Sequence, residues 1–406
     1  MQQHLLKLLP TINIIEDKEI PVKLWDIPQT ISELSYLTHD YFRYYGKFPS
    51  TVAAQLLEQF PAPKNGILLD NFAGSGTSLV EASLRGVKSV GIDINPLAVL
   101  SGKVKTSRYD TNNLEKTFTK LSNSFFDINT NFLPTNLPNE SFLQKWFQES
   151  VVVDLARLRE IILKIDNAKE RDFFILAFLA VIRRVSLAYD GEVRPHINPK
   201  KRQRNAFEAF AKKVKDMTRT QIEFNFAFAN RTEGEAILAN SMENYSKHLP
   251  KGNYWLVISH PPYLNCFDYL PVFNLELEWA NSFEHLWWGK TKKDLRKQEL
   301  KAWPAKTEKS VKDYYDSLER AYKITFDLQP RGGKCAIVIG DCTIQGKLEK
   351  VHKKLIDVME KIGYQISEIN YRTTNYSTGK YSYQHRADYH GKNEEKKDAI
   401  LVFEKN

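Results

Sequence analysis

Apolar positions along the chain change period at about residue 65, and the change divides it into recognisable elements. Residues 67–72, opening on the apolar Ile67-Leu68-Leu69, predict a buried strand, and residues 75–84 carry helical spacing that stops at Gly86. A second strand is predicted over 89–94, and Pro96 opens a second helix at the first-turn position, where a missing N–H is tolerated. From about residue 110 to 231 the period is mostly helical, with helices predicted over 141–165, 168–188 and 205–228. Strand patterns return at 235–238 and 254–259. A helix over 311–328 then leads through Arg331-Gly332-Gly333 into a strand over 335–339. A helix over 348–362 and strands over 365–371 and 399–404 complete the pattern, and residues 1–38 read as a leader of mixed helix and loop.

Strands that alternate with helices imply an α/β fold, doubly wound and mostly parallel, with right-handed crossovers. The helical block reads as an insertion into that sheet. The expected division is a leader over 1–38, a first sheet portion over 39–109, the insertion over 110–232, and a second sheet portion over 233–406. At 406 residues this is one large domain carrying a substantial insertion.

Composition narrows the function classes without selecting one. The 58 basic against 49 acidic residues leave a formal charge of +9, which favours a polyanionic partner. Cys266, Cys335 and Cys342 have neither a disulfide framework nor metal-ligand spacing, so no metal site is expected. The amino terminus lacks a basic region followed by an apolar stretch, and no apolar run approaches a membrane span, so a soluble cytoplasmic protein is expected.

The first chemical signal is Asp70-Asn71-Phe72-Ala73-Gly74-Ser75-Gly76-Thr77, a strand that runs into a glycine loop opening a helix. Glycines let a ligand approach the backbone, and the helix start offers free amide donors. One strand later, Gly91-Ile92-Asp93-Ile94-Asn95-Pro96 sets a carboxylate at a strand's carboxyl end, where a ribose diol can be gripped. A dinucleotide site shows a similar pair, but Leu79 stands where its third glycine belongs, and no Gly-Lys-Ser/Thr of a P-loop follows. Asp70, at the end of an apolar strand beside the loop, is suited to pair with an ammonium group.

The second signal is Ser259-His260-Pro261-Pro262-Tyr263, a buried strand halted by two prolines that fix the backbone. A base extracted from a duplex could stack on Tyr263 while its amino group donates to the side chain and a main-chain carbonyl at the motif.

Taken together these segments resemble the amino-methyltransferases of bacterial DNA modification. The resemblance rests on the loop from Asp70 to Thr77, the segment from Gly91 to Pro96, the aromatic Tyr44-Tyr45-Gly46-Lys47-Phe48-Pro49, the proline motif, and Arg331-Gly332-Gly333-Lys334. It covers roughly residues 39–105, 235–283 and 330–342. It implies a Rossmann-like methyltransferase sheet that uses S-adenosyl-L-methionine to methylate an exocyclic amino nitrogen of DNA, cytosine N4 or adenine N6. It also implies a double-stranded DNA partner with the target base flipped, and a cognate restriction endonuclease acting at the same site. Tyr45, Lys47, Phe48, Asp70, Phe72, Gly74, Gly76, Thr77, Asp93 and Ile94 are then the cofactor contacts, with Asn240 or Glu243 standing in for the acid expected near the adenine. Ser259, His260, Pro261, Pro262 and Tyr263 are the catalytic group.

The chain departs from the family in carrying His260 where Asp, Asn or Ser is usual, although a neutral imidazole still accepts one hydrogen bond. Ser259 beside the prolines tilts the base toward cytosine. Cytosine C5 chemistry needs a cysteine nucleophile after the proline, and Cys266 lies beyond Tyr263. An RNA amino-methyltransferase or a binding-only homologue are the alternative readings. For nucleic-acid contact, the basic connector with Arg194, Lys200, Lys201, Arg202 and Arg204 and the stretch 290–301 are expected.

Overall fold

The computed structural model of the chain describes residues 8–30, 32–47, 49–127, 136–228, 231–287, 289–373 and 398–406. Its strands, in chain order, are β1 (Thr11–Glu16), β2 (Val22–Asp26), β3 (Gly66–Asp70), β4 (Lys88–Asp93), β5 (Glu235–Leu238), β6 (Asn253–Ser259), β7 (Lys334–Gly340), β8 (Cys342–Ile344), β9 (Lys347–Glu349), β10 (Tyr364–Arg372) and β11 (Asp398–Lys405). Among the described residues, nine of these form one sheet in the order β1-β2-β10-β11-β7-β6-β3-β4-β5. From β5 through β7 every pairing is parallel, and β11 runs antiparallel between β7 and β10. Strand order reverses beside β3, because the chain first builds β3, β4 and β5 to one side and then returns to lay β6 and β7 on the other.

The central strands are apolar on both faces, so alternate residues feed two separate cores. Ile67 and Leu69 of β3, Val257 of β6 and Ile337 of β7 join one face with Tyr314, Leu318 and Tyr322. Leu68, Leu256, Ile258 and Val338 join the other with Val52, Leu56 and Trp25. Full burial of each such aliphatic side chain stabilises the fold by roughly 1.5–3 kcal/mol.

The helical block is built around the helix Ala168–Val185. Its Phe-Phe-Ile-Leu-Ala-Phe-Leu run is buried all round, as befits a helix with neighbours on every side. Phe173, Phe174 and Phe178 pack there with Phe210 and Trp279. The helix also touches Pro96–Thr106, the second crossover of the sheet, which ties block to sheet.

Three local expectations are corrected. Within the leader, Thr11–Glu16 and Val22–Asp26 are strands rather than helix and loop. Here β2 adds in parallel to β10, and the fully buried Trp25 donates its indole N–H to Asn370 Oδ1 at 3.0 Å. That pairing partner lies more than 300 residues away, so local propensity could not reveal it. The single helix expected over 141–165 is two, Glu140–Trp146 and Glu149–Leu163. The break lets Phe147 turn inward, edge-on to Trp279 at 6.0 Å. The helix expected from residue 348 starts at Val351, because β9 pairs with β8 first. Among the described residues, no helix is long and apolar enough to cross a membrane.

Candidate active site

The glycine loop leaves the carboxyl end of β3 and turns into the helix Thr77–Leu84. Gly76, at φ 78°, takes a left-handed conformation that side chains disfavour, and a Cβ there would lie 2.8 Å from the Cα of Gly102. Backbone-to-backbone contact of that kind presses the loop onto the helix Pro96–Thr106. Asn95 caps that helix by accepting the Leu97 N–H at 3.0 Å.

Asp93 ends β4 and faces the loop. Its Oδ2 accepts the Gly74 N–H at 2.9 Å, and its Oδ1 accepts the Asn95 N–H at 2.8 Å. Burial raises its carboxyl to about 6, against the pull of those amides. Asp70 is fully buried beneath the loop. Oδ1 accepts the Phe72 N–H at 3.1 Å and Oδ2 the Ser78 hydroxyl, while burial raises the carboxyl to about 7. Asp70 thus braces the loop instead of facing a ligand ammonium.

One cavity gathers these pieces. Tyr44, Gly46, Lys47, Phe72, Gly74, Ser75, Thr77, Asp93, Ile94, Asn95 and Asn240 line one part, and His260 and Pro262 enter from the end of β6. Phe267, Asp268, Tyr269, Arg296, Glu299 and Trp303 close the remainder. The cavity opens at the carboxyl ends of β3, β4 and β6, beside the reversal in strand order, where doubly wound folds bind their ligands. Lys47 donates to Ser35 Oγ at 3.2 Å, and burial lowers its ammonium to about 8. Burial also raises Glu299 to about 7, with Arg296 opposing.

The structure brings together Lys47, Phe72, Gly74, Thr77, Asp93, Ile94, Asn240, His260 and Pro262. Besides Asp70, five other expected residues sit outside the cavity wall. Tyr45 points away and donates its hydroxyl to the Glu192 carbonyl at 2.6 Å, and Tyr44, one position earlier, lines the wall instead. Ser259 is buried, donating to Asn71 Oδ1 at 2.7 Å beside the Tyr322 hydroxyl, so it lends no weight to cytosine. Tyr263 is buried with its hydroxyl on Asp398 at 2.8 Å. Its ring lies so close to Gly340 that a Cβ there would come within 2.6 Å. In this geometry Tyr263 offers no free face to a base, and Phe267, Tyr269 and Trp303 are the rings in that part of the cavity. Pro261 and Gly76 are buried and do not line the wall, and Phe48 lies outside the described residues.

The expected nucleic-acid contacts also separate. Arg194, Lys200 and Arg202 are exposed. Lys201 is not available: its ammonium donates to the carbonyls of Arg183 and Ala188, at 3.0 and 2.6 Å, and to Asp190. It satisfies carbonyls at the end of the helix Ala168–Val185, a structural task. Arg204 pairs with the same Asp190 at 2.8 Å. Phe267 to Leu270 and Trp303, missed in the sequence, carry no chemical signature, and Leu295 to Leu300 belong to the basic stretch expected to meet nucleic acid; only the path of the chain brings them to the wall.

The donor set fits S-adenosylmethionine. The half-buried Asp93 carboxylate suits a ribose diol, apolar Ile94, Phe72 and Met242 suit an adenine, and Ser75 Oγ is buried without a hydrogen-bond partner. Ribose hydroxyls donate best to an ionised carboxylate, so cofactor affinity should fall as pH drops through about 6. The loss should approach tenfold per pH unit, and Asp93→Asn should bind weakly and lack that acid limb. Calorimetric titration between pH 5 and 8 checks this. The empty protein has the opposite sign. Asp93 keeps its proton longer when folded, so its contribution to stability is lost as pH rises from 3.8 to about 6.

Residues 13–102 match the family model for N6/N4 DNA methylases. Over 207 residues the chain is 29% identical to the type II methyltransferase M.MvaI of Kocuria varians, covering 47% of this chain and 46% of that one. Over 314 residues it is 24% identical to M.BsoBI of Geobacillus stearothermophilus, covering 69% and 59%. The type II methyltransferase M.MjaII of Methanocaldococcus jannaschii is 32% identical over 125 residues, covering 30% and 22%. The chain spans about half the length of the first two of these relatives. The matched segment carries both the glycine loop and Asp93, so the likeness to N6/N4 DNA methylases includes residues that line the cavity, and it agrees with S-adenosylmethionine as the cofactor.

Proposed function

We propose that the chain methylates an exocyclic amino nitrogen, cytosine N4 or adenine N6, of a base flipped out of double-stranded DNA. In this reading it is the cytoplasmic modification partner of a restriction endonuclease. One observation carries it: His260 and Pro262 share a cavity with Gly74, Asp93 and Lys47.

The sulfonium of S-adenosylmethionine supplies an already activated methyl group, so the chain's task is alignment. The nitrogen of an exocyclic amine is a poor nucleophile because its lone pair is delocalised into the ring. His260 and a main-chain carbonyl of the motif accept hydrogen bonds from that amine. They draw the nitrogen toward tetrahedral geometry and localise the pair. Lys47, Gly74 and Asp93 would hold the cofactor, which would supply the methyl group and keep the electron pair of its S–CH3 bond on sulfur, and the methylated nitrogen would release its proton to water. The two prolines hold the motif rigid, and Tyr314 fixes it further by donating to the Pro262 carbonyl at 3.0 Å. Phe267, Tyr269 and Trp303 form the apolar walls against which the flipped base stacks.

The deciding experiment expresses the protein in a methylation-free bacterial host and sequences the genome by a method that reports modified bases. A single sequence context carrying N4-methylcytosine or N6-methyladenine is expected. Unmodified DNA from folded, cofactor-binding protein would overturn the proposal and turn attention to RNA or to a binding role.

A further inference from the structure

A second cleft lies beside the cofactor cavity and shares Leu270 and Arg296 with it. Arg194, Lys292, Lys293 and Arg296 line it over an apolar floor that includes Trp146, and no carboxylate is among its lining residues. These cations come from two segments about 100 residues apart, the connector after the helix Ala168–Val185 and the helix Lys292–Gln298. Asp268 joins them. Its side chain is 16% exposed, accepting from Arg296 Nη1 at 2.7 Å and from Arg194 Nη2 at 3.5 Å. Arg296 also donates to Glu299 at 3.0 Å, on the cofactor side. One carboxylate thus steers two planar guanidinium groups to the rim between the cavities. Each guanidinium has five N–H donors, more than these contacts use. Lys292 is occupied by Asn274 and Glu278, at 2.7 and 2.5 Å, whereas Lys293 is exposed.

We infer that this cleft seats a backbone phosphodiester of the DNA next to the flipped nucleotide, gripped by Arg194 and Arg296 with Asp268 as the strut between them. Two positioned guanidiniums match the tetrahedral oxygens of a phosphodiester better than a single point charge does. The cleft also shares Leu270 and Arg296 with the cavity that takes the base, so a nucleotide swung inward carries its phosphate past this rim. Phosphate contacts here set register and orientation and do not read sequence. The inference rests on the DNA-methyltransferase reading.

The test measures binding of the full-length protein to a fluorescein-labelled duplex between 50 and 200 mM salt. Each phosphate contact removed lowers the slope of log affinity against log salt by about 0.9. Arg194→Ala with Arg296→Ala should therefore flatten the slope by roughly two units and weaken binding at least tenfold at low salt. Lys293→Glu, a change at an exposed position, should weaken binding in the same direction without a risk to folding. Arg219→Ala, on the outer helix Ala206–Ala227, should leave the slope unchanged. A wild-type protein that methylates DNA while the double variant and Lys293→Glu keep its slope would sink the clamp and leave the activity standing. A wild-type protein with no affinity for duplex DNA would sink the activity as well.

Discussion

Replacing His260 by alanine is expected to slow methyl transfer by about two to three orders of magnitude while cofactor affinity stays within about twofold. The imidazole enters the cavity from the end of β6, beside Pro262, and Met242 and Asn240 line the same cavity. Its proposed partner is the amine, not the cofactor, so the loss should fall on kcat rather than on the Kd of S-adenosylmethionine. A hydrogen bond that strengthens as the nitrogen becomes tetrahedral is a transition-state interaction, and its removal lowers kcat and kcat/KM together. His260→Asn keeps an acceptor near the same point and should recover at least tenfold of that loss. Single-turnover transfer of a labelled methyl group to DNA reads both. An alanine variant with a near wild-type rate would show that the imidazole is not an acceptor for the reacting amine.

Arg183→Met is the largest expected effect on stability, about 3–5 kcal/mol, because it leaves a buried carboxylate without its guanidinium. Arg183 is 6% exposed and Glu276 7%. The guanidinium donates to Glu276 Oε1 at 3.1 Å, to the Tyr45 hydroxyl at 3.0 Å, and to the carbonyls of Glu192, Val193 and Val272. One side chain therefore joins the helix Ala168–Val185, the residues just before the basic connector, the segment after the proline motif and the aromatic segment beside the cavity. Arg183→Met together with Glu276→Leu should restore much of the loss, since a buried pair replaced by apolar groups is close to neutral. Chemical denaturation of the single and double variants makes the comparison. If Arg183→Met alone costs less than about 1 kcal/mol, the ion pair is not the joint described here.

Tyr45 shows why a sequence can mark a segment of the cavity without marking the ring that faces it. Two tyrosines precede Gly46, and a resemblance can mark the segment without marking which ring faces the ligand. Tyr44 turns inward because its ring stacks on Phe273 at 4.7 Å, while Tyr45 is taken by Arg183 and the Glu192 carbonyl. Tyr263 is a similar case. The run Pro261-Pro262-Tyr263 marks the strand end correctly, but the ring's direction is set by Gly340 and Asp398, which reach it from β7 and β11. Lys201 reads as one more charge in a basic run, yet carbonyls at the end of a helix claim it.

The sequence by itself determined the parts governed by near neighbours. The apolar runs of β3, β4, β6 and β7 mark strands covered on both faces, the glycine loop and Asp93 mark the ligand end of the sheet, and the two prolines mark where β6 must stop. These signals are local because backbone conformation and burial period depend on a few consecutive residues. Only the tertiary structure decided what depends on distant partners. It made strands of the first residues by pairing β2 with β10, and it braced Asp70 beneath the loop. It also closed the cavity with Phe267, Trp303 and Glu299 and set Arg194 and Arg296 on one carboxylate. Which side chain faces a cavity is a competition among contacts made across hundreds of residues, and a difference of about 1 kcal/mol in packing or hydrogen bonding is enough to turn it.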